Sequence, residues 1–239
     1  MQQDALWLLI HSPLVGPLSW SLVADALKSR GRRVATPTLR DADSVAEPYW
    51  RQHAAAVARE LAAAPPEQPL VLAGHSGAGP LLPAIRAALP NPIAAYLFVD
   101  AGLPRDQASR IDLLAHESPA IARELGQLLA AGERFPNWSD QQLRSLLPDP
   151  ELRRRLLAEV QPRALPFFSE PLPVFAGWPD APCAYLQLSA VYQVHAQTAQ
   201  RLGWPVRDLE AGHFHLLVAP EAVAQAMTEL YAAASQPAA

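Results

Sequence analysis

Residues Val71 to Pro80 read VLAGHSGAGP, and Ser76 at their centre has the type and setting to do covalent chemistry. An apolar run that reads as a strand precedes it, and a helical pattern follows. A sharp strand-to-helix turn would lift its hydroxyl to the top of a sheet. The small residues two before and two after it, Gly74 and Ala78, would let strand and helix pass closely. A helix N-terminus behind the serine would favour negative charge developing there. Serine is a weak nucleophile until a neighbouring base takes its proton, so the chemistry also calls for an imidazole. The histidines available are His11, His53, His75, His116, His195, His213 and His215. No pair has metal-ligand spacing with a third ligand nearby, and no glycine-rich phosphate loop is present. Neither a metal nor another cofactor is expected.

A nucleophile of this kind needs a sheet beneath it. Short apolar runs read as strands at Ala5–Ile10, Arg33–Pro37, Leu70–Gly74, Ala94–Asp100, Cys183–Ser189 and Pro205–Glu210. Several are almost continuously apolar, as strands buried on both faces are. Helical patterns lie between them, at about Leu18–Ser29, Pro48–Ala63, Gly79–Ala88, Val191–Leu202 and Pro220–Ala233, with Gly31 just past the end of the first. This alternation predicts an α/β fold, a mostly parallel sheet flanked by helices on both faces. The tail AAASQPAA is expected to fray.

One segment breaks the alternation. From Ala101 to Pro182 run about 80 residues with helical stretches near Gln107–Ala131 and Ser139–Val160, then the proline-rich ALPFFSEPLPVFAGWPDAP. A connection this long inside an α/β domain is not a bare loop. It predicts a helical cap, 103–182, inserted after the fourth strand over a core formed by 1–102 and 183–239. The cap aromatics Phe135, Trp138, Phe167, Phe168, Phe175 and Trp178 either pack it onto the sheet or line an apolar site.

Three stretches together resemble the α/β-hydrolase family: LLIHSPLVGPLSW like its first-strand loop, LAGHSGAG like its nucleophile elbow, and EAGHFHLLVAPEAV like its histidine loop. The cap falls at that family's usual insertion point. The resemblance implies a Ser–acid–His order with Ser76 as nucleophile and the base just after the last strand. That selects His213. His215 faces the same way in an extended segment but lies further toward an apolar helix start, and His75 inside the elbow supports the turn. The family's usual acid follows the penultimate strand, yet no Asp or Glu occurs from Ala181 to Arg207. Some members carry the acid one strand earlier, which here is Asp100. A carboxylate at a buried strand end is costly unless paired, and orienting His213 would pair it. The alternative is that Asp100 caps the turn AGLP. Asp180, Asp208 and Glu210 are less suitable, being in or before strands.

The family's oxyanion hole takes one N–H from the residue after the serine, here Gly77, and another from the residue after an HG pair. This chain has HSP instead: Ser12 replaces the glycine and Pro13 has no N–H. Leu14 after a shift of the loop, or the Ser12 hydroxyl, would have to supply the second donor, whose loss costs about 100- to 1000-fold in rate. The plant hydroxynitrile lyases, a related branch, also carry a hydroxyl residue at the place of Ser12, but their lysine after the base histidine is Phe214 here.

Composition narrows the partners. The chain has 239 residues, half of them apolar, and a net charge of −4 without a basic block. One core of useful size is expected, and neither nucleic acid nor an anionic membrane fits as a partner. Lys28 is the only lysine, a bias of high-GC bacterial genes. Cys183 is the only cysteine, and the start MQQDALWLLIHS has no basic n-region and too short an apolar run for a leader. The expectation is a cytoplasmic bacterial enzyme on a small molecule, monomeric or self-associating. The function expected is that of a serine hydrolase on a small or medium apolar ester, lactone or thioester. The alternatives are a lyase, cyclase or decarboxylase of natural-product or aromatic metabolism on the same scaffold, and a binding protein with a relic triad.

Overall fold

Six strands form one wholly parallel sheet in the computed structural model, which describes residues 5–42 and 45–236. They are β1 (Leu6–Ile10), β2 (Arg33–Ala35), β3 (Leu70–His75), β4 (Ile93–Val99), β5 (Cys183–Gln187) and β6 (Val206–Asp208), in the order β2-β1-β3-β4-β5-β6. Successive strand residues point to opposite faces, and here both faces are apolar. Leu8, Ile10, Leu72, Tyr96 and Phe98 face helices α2 (Tyr49–Glu60), α3 (Leu82–Ala87) and α9 (Gln193–Arg201). Trp7, Leu9, Val71, Leu97 and Val99 face α1 (Leu18–Ser29) and α11 (Pro220–Ala234). That double burial is why these strands read as unbroken apolar runs.

Between β4 and β5 come α4 (Arg110–Glu117), α5 (Pro119–Ala130), α6 (Asp140–Leu143), α7 (Pro150–Ala158) and α8 (Leu165–Ser169). The helical stretches expected near Gln107–Ala131 and Ser139–Val160 each divide into two helices. Pro119 holds Ser118 in an extended conformation and ends α4 there, and Pro148 and Pro150 separate α6 from α7. Proline also corrects the stretch after the serine. Pro80 cannot donate to a helical ladder, so Ser76–Leu81 is a 3-10 turn and regular helix starts only at Leu82. Strand ends are shorter than expected: β2 stops before Pro37 and β6 at Asp208, with Glu210 at a positive φ. Gly31, at φ 77°, ends α1 as expected. α11 runs through Ala234, one residue past its expected end, and buries Leu230 and Tyr231. Residues 1–4 of the opening MQQD and 237–239 of the tail lie outside the described residues.

Candidate active site

The left-handed backbone of Ser76, φ 58°, turns the chain from β3 into the 3-10 turn. A non-glycine residue there is strained, and such strain gathers at functional sites. The turn survives because its neighbours are small. A Cβ on Gly74 would meet the backbone of Ala78 and Gly79 at 3.2 Å, and one on Gly79 would lie 2.2 Å from the carbonyl oxygen of Gly102. The N–H of Ser76 donates to the Asp100 carbonyl at 3.2 Å, which ties the elbow to the end of β4.

Asp100 lies just beyond β4, at φ 43° and with no exposure. Its Oδ2 accepts Nδ1–H of His213 at 2.7 Å and the Ser189 hydroxyl at 2.7 Å; its Oδ1 accepts the N–H groups of Leu188 and Ser189 at 2.9 and 2.8 Å. Burial alone would raise its pKa. The hydrogen bonds and charge from His213 and Ser189 outweigh burial and hold the carboxyl below the usual range. The loop after β5 therefore lacks an acid but supplies three of the donors that keep Asp100 ionised.

His213 sits between β6 and α10 (His215–Val218). With Nδ1–H engaged by Asp100, Nε2 carries the lone pair a base needs. His75 fixes the loop from below: its ring stacks on His213 at 4.5 Å and its Nε2–H donates to the His213 carbonyl at 3.1 Å. Burial, reinforced by His213, pushes His75 down to about 3, so it stays neutral. His215 makes no such contacts. Asp180 is taken up by Tyr96 and Arg86.

Tyr192, which sequence reasoning missed, completes the cluster. Its hydroxyl is 3.1 Å from Ser76 Oγ, and its ring lies parallel to that of His213, 5.4 Å away. No hydrogen bond joins Ser76 to His213; the serine's partner is this phenol. Burial raises the Tyr192 pKa against the opposing bond from Ser76, so the phenol keeps its proton. Tyr192 occurs in the loop SAVYQVH, where the usual acid is missing, and that position was the only sequence signal for it.

On the other side of Ser76 lie the residues expected to make the oxyanion hole. The Leu14 N–H points at Ser12 Oγ, 3.4 Å away, and a Cβ on Gly77 would lie 3.2 Å from that same oxygen. Gly77, Ser12 and Leu14 are thus brought together, while Pro13 contributes only its carbonyl. His11 orients the loop: its Nδ1–H donates to the Ser12 carbonyl at 2.8 Å and its Nε2 accepts the Leu39 N–H at 3.0 Å. The segment before α8 clasps the loop from above. Gln161 N–H donates to the Leu14 carbonyl at 2.9 Å, and Arg163, paired with Asp41, donates to the Pro13 carbonyl at 3.3 Å.

Two cavities meet at Ser76, of about 320 and 190 Å3. The cap aromatics divide accordingly. Phe135 lines both, Trp138 the larger and Phe168 the smaller. Phe167 is buried beneath Arg110, and Phe175 and Trp178 pack on each other, with Trp178 against Tyr96.

A serine on a strained turn, a histidine held by a buried carboxylate and this sheet order agree with what the chain matches. The sequence profile of the alpha/beta hydrolase family fits residues 7–226, and the chain belongs to that family. Among solved structures, it is similar to an extracellular α/β-hydrolase from a Paenibacillus species, described as sharing structural and functional homology with tobacco salicylic acid binding protein 2. Identity is 21%, coverage 95% of this chain and 98% of that one, and the TM-score 0.76. Tomato methylketone synthase I bound to 2-tridecanone gives 13%, 97% and 99%, and 0.70. A pyrethroid hydrolase from Sphingobium faniae JZ-2 gives 19%, 96% and 98%, and 0.64. At these identities the likeness is one of fold. Compared with proteins of curated function, the chain matches none. Among the described residues no helix is long and apolar enough to cross a membrane.

Proposed function

We propose that this α/β hydrolase is a serine esterase of small or medium apolar esters, lactones or thioesters, with Ser76 as nucleophile, His213 as base and Asp100 as the acid that orients it. The observation that carries the reading is the 2.7 Å bond between Asp100 Oδ2 and His213 Nδ1, made by a carboxylate with no exposure. Such a bond sets the tautomer whose Nε2 can accept a proton. His213 takes the Ser76 proton as Oγ attacks the substrate carbonyl carbon. The tetrahedral oxyanion is met by the Gly77 N–H and, in place of the donor Pro13 lacks, by the Ser12 hydroxyl, whose oxygen the Leu14 N–H holds. His213 then protonates the departing alkoxide or thiolate, and a water activated by the same ring frees the acyl group. Tyr192 donates to Oγ, which leaves the serine's own hydrogen for His213.

In this reading residues 103–182 form a cap over a core of 1–102 and 183–239, and the two cavities hold a small-molecule substrate without metal or cofactor. The setting in this reading is the cytoplasm of a bacterial cell, with which the buried free thiol of Cys183 is compatible. A fluorophosphonate probe tests the reading: it should label Ser76 covalently, and Ser76→Ala should abolish labelling and turnover. Labelling that persists in the mutant removes Ser76 from the mechanism. A second reading, a lyase, cyclase or decarboxylase, is favoured by the missing Pro13 donor and by a serine bonded to Tyr192 rather than His213. Incorporation of oxygen from labelled water into the product distinguishes hydrolysis from that chemistry.

A further inference from the structure

The two cavities at Ser76 differ in what lies away from the serine. The larger is walled by Val15, Phe135, Trp138, Val191 and Phe214. The smaller passes Leu113, Leu125 and Phe168 and also reaches Glu117, the last residue of α4.

Glu117 is 13% exposed, and its Oε1 accepts Nε2–H of His195 at 2.5 Å. The direction of that bond follows from the other nitrogen. His195 Nδ1 accepts the Leu103 N–H at 3.3 Å, so the ring's hydrogen is on Nε2, and a neutral imidazole satisfies both contacts. The ring therefore positions the carboxylate without having to neutralise it. The second oxygen, Oε2, has no hydrogen-bond partner among the described residues. That oxygen is not sealed from solvent, so a donor entering the cavity can reach it.

Arg110 lines the same cavity but does not answer that charge. Its Nη1 donates to Glu170 and to the Phe167 carbonyl, its guanidinium lies over the Phe167 ring at 3.8 Å, and its Nε and Nη2 are buried and make no hydrogen bond to Glu117. The acceptor that the cavity leaves open is Glu117.

We propose that Glu117, positioned by His195, determines specificity by accepting a hydrogen bond from a hydroxyl or ammonium group on one arm of the substrate. This rests on the esterase reading and narrows it. One arm of the ester is apolar and fills the larger cavity. The other is short and carries a hydrogen-bond donor near its end. The smaller cavity, of about 190 Å3 against about 320 Å3, suits the shorter arm.

The test uses p-nitrophenyl 6-hydroxyhexanoate, 6-ammoniohexanoate and heptanoate, whose arms are alike in length and differ at the last atom. One donor-bearing ester should exceed heptanoate in kcat/KM by about 10- to 100-fold, the range of one hydrogen bond to a charged group. Which of the two does so distinguishes hydroxyl from ammonium. In Glu117→Gln that ratio should fall at least tenfold for the ammonium arm. Equal rates in the wild type, or an ammonium preference that survives the mutation, overturn the proposal. Calorimetry on Ser76→Ala covers the cases in which Glu117→Gln misfolds or no ester is hydrolysed. There 1,6-hexanediol or 6-amino-1-hexanol should bind about tenfold tighter than 1-heptanol, and equal affinities overturn the assignment of Glu117. Absence of ester turnover together with that binding preference would instead count against the esterase reading alone.

Discussion

The two sides of Ser76 are built by different means. On one side Asp100 and His213 are held by the sheet. Asp100 N–H donates to the Leu186 carbonyl at 2.7 Å, its carboxylate takes the donors at the end of β5, and His75, the last residue of β3, stacks beneath His213. On the other side the loop Ser12–Leu14 is held largely by the inserted segment, through the carbonyls that Gln161 and Arg163 engage. Strand register is fixed by the hydrophobic pattern of both faces and does not adjust in small steps. A clasp of two hydrogen bonds loosens by degrees. Damage on the first side should therefore be large and specific to proton transfer, and damage on the second side smaller and graded.

The strongest way to break that contrast is Asp100→Asn. Its Oδ1 can still accept the N–H groups of Leu188 and Ser189, but an amide nitrogen now faces His213 Nδ1. The ring must turn its other tautomer toward the serine. Turnover should fall by about 10⁴-fold, the scale known for this change in a serine-protease triad, while urea denaturation shows the fold retained. A fully active Asp100→Asn enzyme would mean that the sheet-held side is not the acid–base side.

The same contrast explains what the sequence revealed. The core strands were legible because burial on both faces leaves an unmistakable apolar run, and Ser76 was legible because only small residues fit around its turn. Asp100 was found through an absence, there being no carboxylate between Ala181 and Arg207. Tyr192, Ser189, Glu117 and Arg163 were not legible. Each acts through a partner remote in sequence (Arg163 and Pro13 are 150 residues apart), and no local pattern records which loops meet. The division of the cap helices was not legible for another reason: helical periodicity persists across Pro119 and Pro150, although the preceding helix ends before each.

A second effect should appear in stability, and each side has its own histidine for it. Burial pushes His11 down to about 4 and His75 down to about 3. Both are neutral when folded, so below pH 6.5 the unfolded chain binds protons that the native one refuses. Stability is then complete above pH 6.5 and is lost as pH falls toward 4, at about 1.4 kcal/mol per unit for each ring. From pH 6.5 to 4.5 His11 alone should account for about 2 kcal/mol. Urea midpoints for the wild type and His11→Gln across this range check it: the mutant should lose stability less steeply, and parallel slopes would remove His11 from the account.

Arg163→Lys addresses the clasped side. Lysine keeps a charge for Asp41 but is a point donor without the fork that spans Asp41, Gln161 and Pro13. If the clasp positions the oxyanion loop, kcat should fall about tenfold with KM within about threefold, because the oxyanion exists only in the transition state. A lower Tm with kcat intact would make Arg163 a structural tie only and would remove the functional half of the contrast.

The smallest effect expected is that of Tyr192→Phe, which lies between the two sides. The half-buried phenol keeps its proton, and either hydroxyl can donate in the 3.1 Å contact with Ser76; in the proposed mechanism the phenol does. One neutral hydrogen bond is worth about 0.5–1.5 kcal/mol, and its loss should lower kcat by about 2- to 13-fold. The phenylalanine ring still stacks on His213, so the base keeps its orientation and the shape of the pH–rate profile should not change. The opposite result is equally informative. If Tyr192 holds Ser76 away from His213, removing its hydroxyl frees the serine, and both kcat and the rate of phosphonate labelling rise. Measuring both rates in Tyr192→Phe against the wild type decides whether the phenol belongs with the acid–base side as a donor or restrains the nucleophile until substrate displaces it.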